Sequence, residues 1–391
     1  MPRDSLPRDP LSRLQWLVFA LVGAVFTTVY IPQPVLPVLR QQFGVGEGAA
    51  SLTVSAVVLG IALANLPFGA LADRLPIRPI LLTGGLVVSA AGLASALAPT
   101  LPLLVVARFV QGLFIPSLTT CLVAYLARVM PADRLNVVMG SYVSATVVGG
   151  LSGRLIGGFI LPAAHWRWAF LIAALLLLLA TLAAYTGLPQ EADPAEAEPE
   201  PVRFRDVLFR HELLRIYGVA AGAFFVFSSV FNYLPFYLHG APFHWSTRAV
   251  TLLYLSYVMG IVMGPLAGKL SNHVGNGAAM VMGAIVLGVG LAFTLIPAGW
   301  AVAIALALVC TGFFTVHAAA AGALNRKVLA GRGRANAFYV LFYYLGGAAG
   351  ITLSGQAYHV AGWHGVIALA GLALRVPLGT GAMELRARSG S

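Results

Sequence analysis

The chain has 391 residues, 59% of them hydrophobic and only 9% charged, with a mean hydropathy of +0.87. A soluble domain carries about 25% charged residues, so this chain cannot cover a water-facing surface and reads as an integral membrane protein. A net charge of +11 would suit a nucleic-acid partner, but the basic residues sit between hydrophobic runs in the pattern that orients membrane proteins, which excludes that class.

A spanning helix needs about 20 mostly apolar residues. Twelve such runs lie near 14–39, 50–72, 78–98, 101–127, 135–160, 166–188, 213–238, 247–270, 277–297, 299–325, 335–359 and 363–382, called spans 1 to 12 below. They are continuous, whereas a β-barrel would show short alternating segments. The expected fold class is all-α, twelve transmembrane helices in two six-helix bundles.

Residues 1–13 form a basic tail with no cleavable signal after it, so the first helix is expected to be retained. Span 1 carries Tyr30 and Gln33, with Pro32, Pro34 and Pro37 bending its far end. "GALADRLPIRPIL" joins spans 2 and 3 and holds Gly69, Asp73, Arg74 and Arg78. Span 4 contains "LVVARFVQGL", with Arg108, Gln111 and Gly112.

In span 5, Gly149, Gly153 and Gly157 share one helix face and Gly158 follows; small residues let helix backbones approach closely in lipid. Gly150-Leu-Ser-Gly153 also spells GxSG, the motif of intramembrane serine proteases. Its serine would need a base within reach, and nothing in the sequence brings His317 of span 10 to Ser152. The chain is therefore not expected to be an enzyme.

Residues 189–212 are acidic and proline-rich at first, then basic and amphipathic, a composition that cannot bury enough to fold alone. This linker separates a bundle over 14–188 from one over 213–385, followed by a tail at 386–391. Span 7 brings Asn232, Tyr233 and Tyr237, span 8 Tyr254 and Tyr257, and span 11 Tyr339, Tyr343 and Tyr344. Cys121 and Cys310 lie inside spans without metal-ligand spacing, so no metal or cofactor is expected. No GxxxxGK[ST] occurs, so ATP is not the expected energy source.

The halves read as copies. "YVSATVVGGLSGRLIGG" at 142–158 aligns without gaps to "YVLFYYLGGAAGITLSG" at 339–355, and "GALADRL" at 69–75 to "GPLAGKL" at 264–270. Parallel six-span repeats place a transport site near the bilayer midplane between the halves. Connections on the side of the termini are rich in Arg and Lys, whereas the opposite ones hold only Arg40, Arg167 and Arg248, so both termini are expected to be cytoplasmic.

On these motifs the chain resembles the major facilitator superfamily over essentially its whole length, and within it the bacterial twelve-helix drug:proton antiporters, including sugar-efflux-like members. The span 2–3 loop resembles the family's gate signature, with Pro76 in place of a glycine and Ile77 in place of a basic residue. The resemblance implies gating roles for Gly69, Asp73, Arg74 and Arg78, and a coupling or substrate role for Arg108. Span 5 resembles the antiporter signature through Gly149, Gly153, Gly157 and Gly158, with Arg154 where the family usually has proline. Helices 1, 4, 7 and 10 line the cavity in the family, which puts Gln33, Asn232 and Tyr233 first among the substrate-binding candidates, with Tyr30 and Tyr343 beside them.

Charges inside the spans sharpen the question. None of the 13 acidic residues falls in the middle of a span, although many antiporters of this family use an intramembrane carboxylate. Arg108 and Arg154 instead lie at similar depth, roughly 9 and 7 Å outward of their helix centres. Arginine stays protonated, and a buried cation needs a partner. One reading makes that partner an anionic or strongly hydrogen-bonding substrate. The other has Arg154 snorkelling to headgroups and Arg108 bonding helix-end carbonyls and Gln111. His317 is the one histidine deep in a span and the candidate proton carrier. The function expected is alternating-access efflux of a small organic compound in exchange for protons, by a monomer in the bacterial inner membrane. The alternative is exchange or facilitated diffusion of an organic anion or sugar-like metabolite, and a twelve-helix channel or receptor is a third class.

Overall fold

The computed structural model describes residues 8–130, 132–160, 165–189, 207–328 and 332–389. Most of the linker at 189–212, the first seven residues and the last two lie outside the described residues. The described residues are almost entirely helical and contain no strand.

Span 1 is α1 (Arg8–Tyr30), a 3-10 turn (Gln33–Val35) and α2 (Leu36–Phe43). Spans 2 to 7 are α3 (Glu47–Ala72), α4 (Ile77–Leu97), α5 (Leu101–Val129), α6 (Ala132–Ile160), α7 (Arg167–Gly187) and α8 (His211–His239). Span 8 is split into α9 (Thr247–Leu253), a 3-10 turn (Tyr254–Tyr257) and α10 (Val258–Val274). Spans 9 and 10 are α11 (Asn276–Phe293) and α12 (Gly299–Lys327), and α13 (Arg332–Ser389) carries the last two spans.

Among the described residues, eleven helices are long and apolar enough to cross a membrane, and the last, Arg332–Arg386, has 55 residues. A straight helix of that length would reach about 80 Å, far beyond a hydrocarbon core of about 30 Å. Non-helical backbone at Ala361 and Gly362, where Gly362 has φ of 57°, breaks it into the eleventh and twelfth predicted spans.

The glycine stripe in α6 has a specific partner. A Cβ on Gly149, Gly153 or Gly157 would lie 2.3, 2.2 or 2.1 Å from the carbonyl oxygen of Gly23, Thr27 or Ile31. Spans 5 and 1 therefore touch backbone to backbone in a four-residue register. The second half repeats this: a Cβ on Gly346 or Gly350 would lie 2.1 or 2.5 Å from the carbonyl of Ala221 or Phe225 in span 7.

Contacts between the halves run along α3 and α13, and on the seam between α6 and span 8 they gather at the end opposite the termini. There, a Cβ on Gly48 would sit 3.5 Å from Gly355 Cα, and one on Gly158 would strike Thr251. Asn232 Nδ2 donates to Ser51 Oγ at 2.8 Å. Towards the termini, Gly140, Gly264 and Gly268 have open space in front of their Cα atoms. Asn65 is the polar link at that depth, donating to the Ala337 carbonyl at 3.2 Å while accepting from Thr120 Oγ1 at 2.6 Å.

Candidate functional site

Two arginines at similar depth have different surroundings, and the prolines of span 1 explain one of them. Pro32 has no N–H, so the Thr28 carbonyl loses its helical partner, and α1 ends at Tyr30 so that Val29 loses its partner too. Arg108, fully buried, covers both. Its Nη1 donates to Thr28 O at 2.8 Å and its Nη2 to Val29 O at 2.6 Å, while Nε donates to Thr53 O at 3.0 Å. Nη1 also donates to Gln111 Oε1. Four of the guanidinium's five N–H donors are thus committed within the first half, against spans 1, 2 and 4.

Arg154 is 1% exposed and faces the other half. Nη1 folds back along its own helix to Gly150 O at 2.6 Å, which the missing side chain at Gly150 permits. Nε donates to Gln33 Oε1 at 2.7 Å; Gln33 stands on the 3-10 turn that the span 1 prolines create. Nη2 crosses the seam to the Tyr257 hydroxyl at 2.6 Å. The guanidinium carbon lies 4.1 Å from the ring centroids of Tyr30 and Tyr257 and 5.5 Å from that of Tyr254. Cation–π contacts of this kind contribute about 0.5–2 kcal/mol each. Every hydrogen-bond acceptor is neutral, and one N–H on each Nη remains uncommitted.

The second half presents an aromatic wall to this cation. Phe231 and Phe227 pack on Tyr257 at 4.8 and 5.3 Å, Phe227 stacks on Phe313 at 4.0 Å, and Phe313 stacks on His317 at 5.9 Å. Tyr254 is held by its hydroxyl donating to Phe231 O at 3.1 Å. His317 Nδ1 and the Tyr339 hydroxyl are hydrogen-bonded at 3.0 Å. Tyr343 stacks on Phe224 at 3.9 Å and lies 5.2 Å from the His317 ring.

The remaining expected site residues are spread along the bundle. Asn232 is buried on the closed seam, and its Oδ1 has no partner. Tyr233 donates to Ile351 O at 2.9 Å and stacks on Tyr358, with its hydroxyl beside Gly355 where that glycine meets Gly48. Of the expected gate residues, Asp73 and Arg74 are exposed beyond the end of α3. Gly69 has room for a Cβ, the nearest atom being 3.8 Å away. Arg78 Nη2 donates to the Tyr185 carbonyl within the same half. Gly149, Gly153 and Gly157 pack inside the first half, whereas Gly158 meets the second. Ser51 and the phenylalanine wall were not singled out from sequence. The wall's signal was available in "FFVFSSVFNYLPF" of span 7 and "GFFTVH" of span 10.

Known proteins agree with this architecture. The chain is 29% identical to the inner membrane transport protein YnfM of Escherichia coli (strain K12), over 94% of this chain and 89% of the relative. It is 25% identical to the multi-drug resistance efflux pump PmrA of Streptococcus pneumoniae, covering 90% of each. A bacterial homologue of the human lysosomal transporter Spinster, inward-facing and unoccupied, superposes with a TM-score of 0.75 at 14% identity, over 98% of this chain and 94% of that one. The human organic anion transporter MFSD10 (TETRAN) superposes with a TM-score of 0.73 at 17% identity, over 96% and 100%. The family model described as Major Facilitator Superfamily matches residues 18–314 and 243–376. The chain is a multi-pass membrane transporter, not an enzyme, and it belongs to the major facilitator superfamily.

Proposed function

We propose that this protein exports a small organic compound carrying an anionic group, in exchange for protons, by alternating access. The observation that carries the reading is Arg154. It is buried on the seam between the halves, bonded only to neutral acceptors, with two N–H groups uncommitted. A carboxylate or phosphate would accept from those groups, and the tyrosine and phenylalanine side chains around them suit an apolar or aromatic body. Efflux is supported by the likeness to PmrA. His317 is the proton carrier in this reading, because no acidic residue stands in the middle of a span and its hydrogen bond to Tyr339 ties it to span 11. The protein acts as a monomer, since one chain supplies both walls of the site. It resides in the bacterial inner membrane with both termini cytoplasmic, as the distribution of Arg and Lys supports.

The test is uptake into proteoliposomes of labelled benzoate and of a labelled quaternary ammonium, with and without an imposed pH gradient. The expected result is gradient-driven benzoate transport that Arg154→Ala stops, and that His317→Gln converts to gradient-independent exchange. Transport of the cation alone would overturn the anion assignment. Benzoate transport that ignores the gradient in the unmodified protein would replace proton antiport with anion exchange.

A further inference from the structure

A cavity of about 400 Å³ lies at the terminus-bearing end of the C-terminal half. Its lining includes Ser271, Asn276, Gly277, Arg326, Lys327 and Glu384. Ser271 is 5% exposed, yet its Oγ has no hydrogen-bond partner, and the buried Oδ1 of Asn276 has none either. Asn276 and Gly277 open α11, an 18-residue helix with no side-chain cap at its N-terminus. Its first N–H groups therefore lack intrahelical acceptors and carry the positive end of the helix dipole. Lys327 Nζ pairs with the Glu384 carboxylate at 3.1 Å, which offsets the one acid in the lining. No hydrogen bond or ion pair engages Arg326 among the described residues.

The first half shows why this space stays open. Spans 4 and 10 begin 198 positions apart, at Leu101 and Gly299. At the same offset Arg128 corresponds to Arg326, while α4 and α11 open 199 positions apart, at Ile77 and Asn276. In the first half Arg78 donates to the Tyr185 carbonyl and lies over its ring, and Arg128 donates to the Ala72 carbonyl. Both arginines there donate to backbone carbonyls of their own half. In the second half the head of α11 carries no arginine, and Arg326 lines a cavity.

We infer that this corner binds a phosphate group, held by the N-terminal N–H groups of α11, the Ser271 hydroxyl and the Arg326 guanidinium. An uncapped helix N-terminus beside an arginine is matched to a phosphate. The cavity opens at the end of the bundle, so the phosphate belongs either to a phospholipid headgroup or to a soluble phosphate compound.

The experiment uses the full chain in detergent after lipid extraction. One arm adds phosphatidylglycerol and counts retained lipid by native mass spectrometry. The other adds inorganic phosphate against matched chloride and records thermal unfolding. Both are repeated on Arg326→Gln, which alters an exposed side chain, and on Ser271→Ala, which removes only an unpaired oxygen. Retention or stabilisation is expected to fall by about tenfold in affinity in Arg326→Gln and less in Ser271→Ala. A response to phosphatidylglycerol alone assigns the phosphate to a headgroup, and a response to inorganic phosphate assigns it to a soluble ligand; either supports the site. Failure of both probes on the unmodified protein, or equal binding by both variants, overturns it.

Discussion

Arg154 Nη2 donates to the Tyr257 hydroxyl at 2.6 Å, and this bond joins span 5 of one half to span 8 of the other. The cation proposed as substrate ligand is therefore also a tie across the closed face. The halves cannot part there without breaking this bond and the two ring contacts to Tyr254 and Tyr257. An anion on the free Nη2 N–H would share that nitrogen with the Tyr257 hydroxyl, and so would weaken the closure as it binds.

Arg154→Lys keeps the charge but loses the planar fork that reaches Gln33, Gly150 and Tyr257 together. Benzoate uptake is expected to weaken about tenfold in Arg154→Lys and about a hundredfold or more in Arg154→Ala. Tyr257→Phe should retain most uptake, because the ring contact survives. Initial rates over a range of benzoate concentration check all three.

Arg108→Leu would leave the carbonyls of Thr28 and Val29 without a donor, while Thr53 O would keep its helical partner. Each unsatisfied buried carbonyl costs about 1–3 kcal/mol, so the expected effect is a large fall in thermal stability and in yield. Unfolding monitored by intrinsic fluorescence in detergent would show it. Normal stability with lost transport would instead give Arg108 a direct role at the substrate.

Gly153→Ala places a methyl 2.2 Å from the Thr27 carbonyl, whereas Gly140→Ala meets nothing within 4 Å. The first is expected to force spans 5 and 1 apart and to lower the melting temperature by several degrees, with transport impaired. Gly140→Ala, on the same helix, is expected to behave as the unmodified protein. Melting curves of the pair, side by side, separate tight packing from a general intolerance of alanine in span 5.

Ser51 and Asn232 face each other at 2.8 Å on the closed seam. With the native Cys121 and Cys310 replaced, Ser51→Cys with Asn232→Cys is expected to form a disulfide under mild oxidation. Transport should stop and return on reduction. Crosslinking without loss of transport would show that this face need not open.

Much of the fold was legible in the sequence because hydropathy is a local property. The twelve runs, the break implied by Pro32 and Pro34, and the glycine stripe of span 5 all rest on residues a few positions apart. The stripe's partner was not legible: Gly149 meets Gly23 through packing of helices distant in the chain. The same limit applies to the candidate site. Arg154 reaches Gln33 across 121 positions and Tyr257 across 103. The 3-10 turn that aims Tyr257 carries no proline or glycine to announce it. The Ser271 cavity was equally hidden, since its lining comes from spans 8, 9, 10 and 12, distant in the chain.

The sequence by itself determined that this chain spans the membrane twelve times in two related halves, and that arginines rather than carboxylates stand within the spans. Those statements follow from composition, period and repeat, which need no partner helix. Only the tertiary structure decided that Arg108 closes the broken end of span 1 while Arg154 faces the other half. The two lie at similar depth on consecutive helices. What separates them is the rotation of each helix about its axis, and that is set by the glycine and proline contacts through which the spans pack.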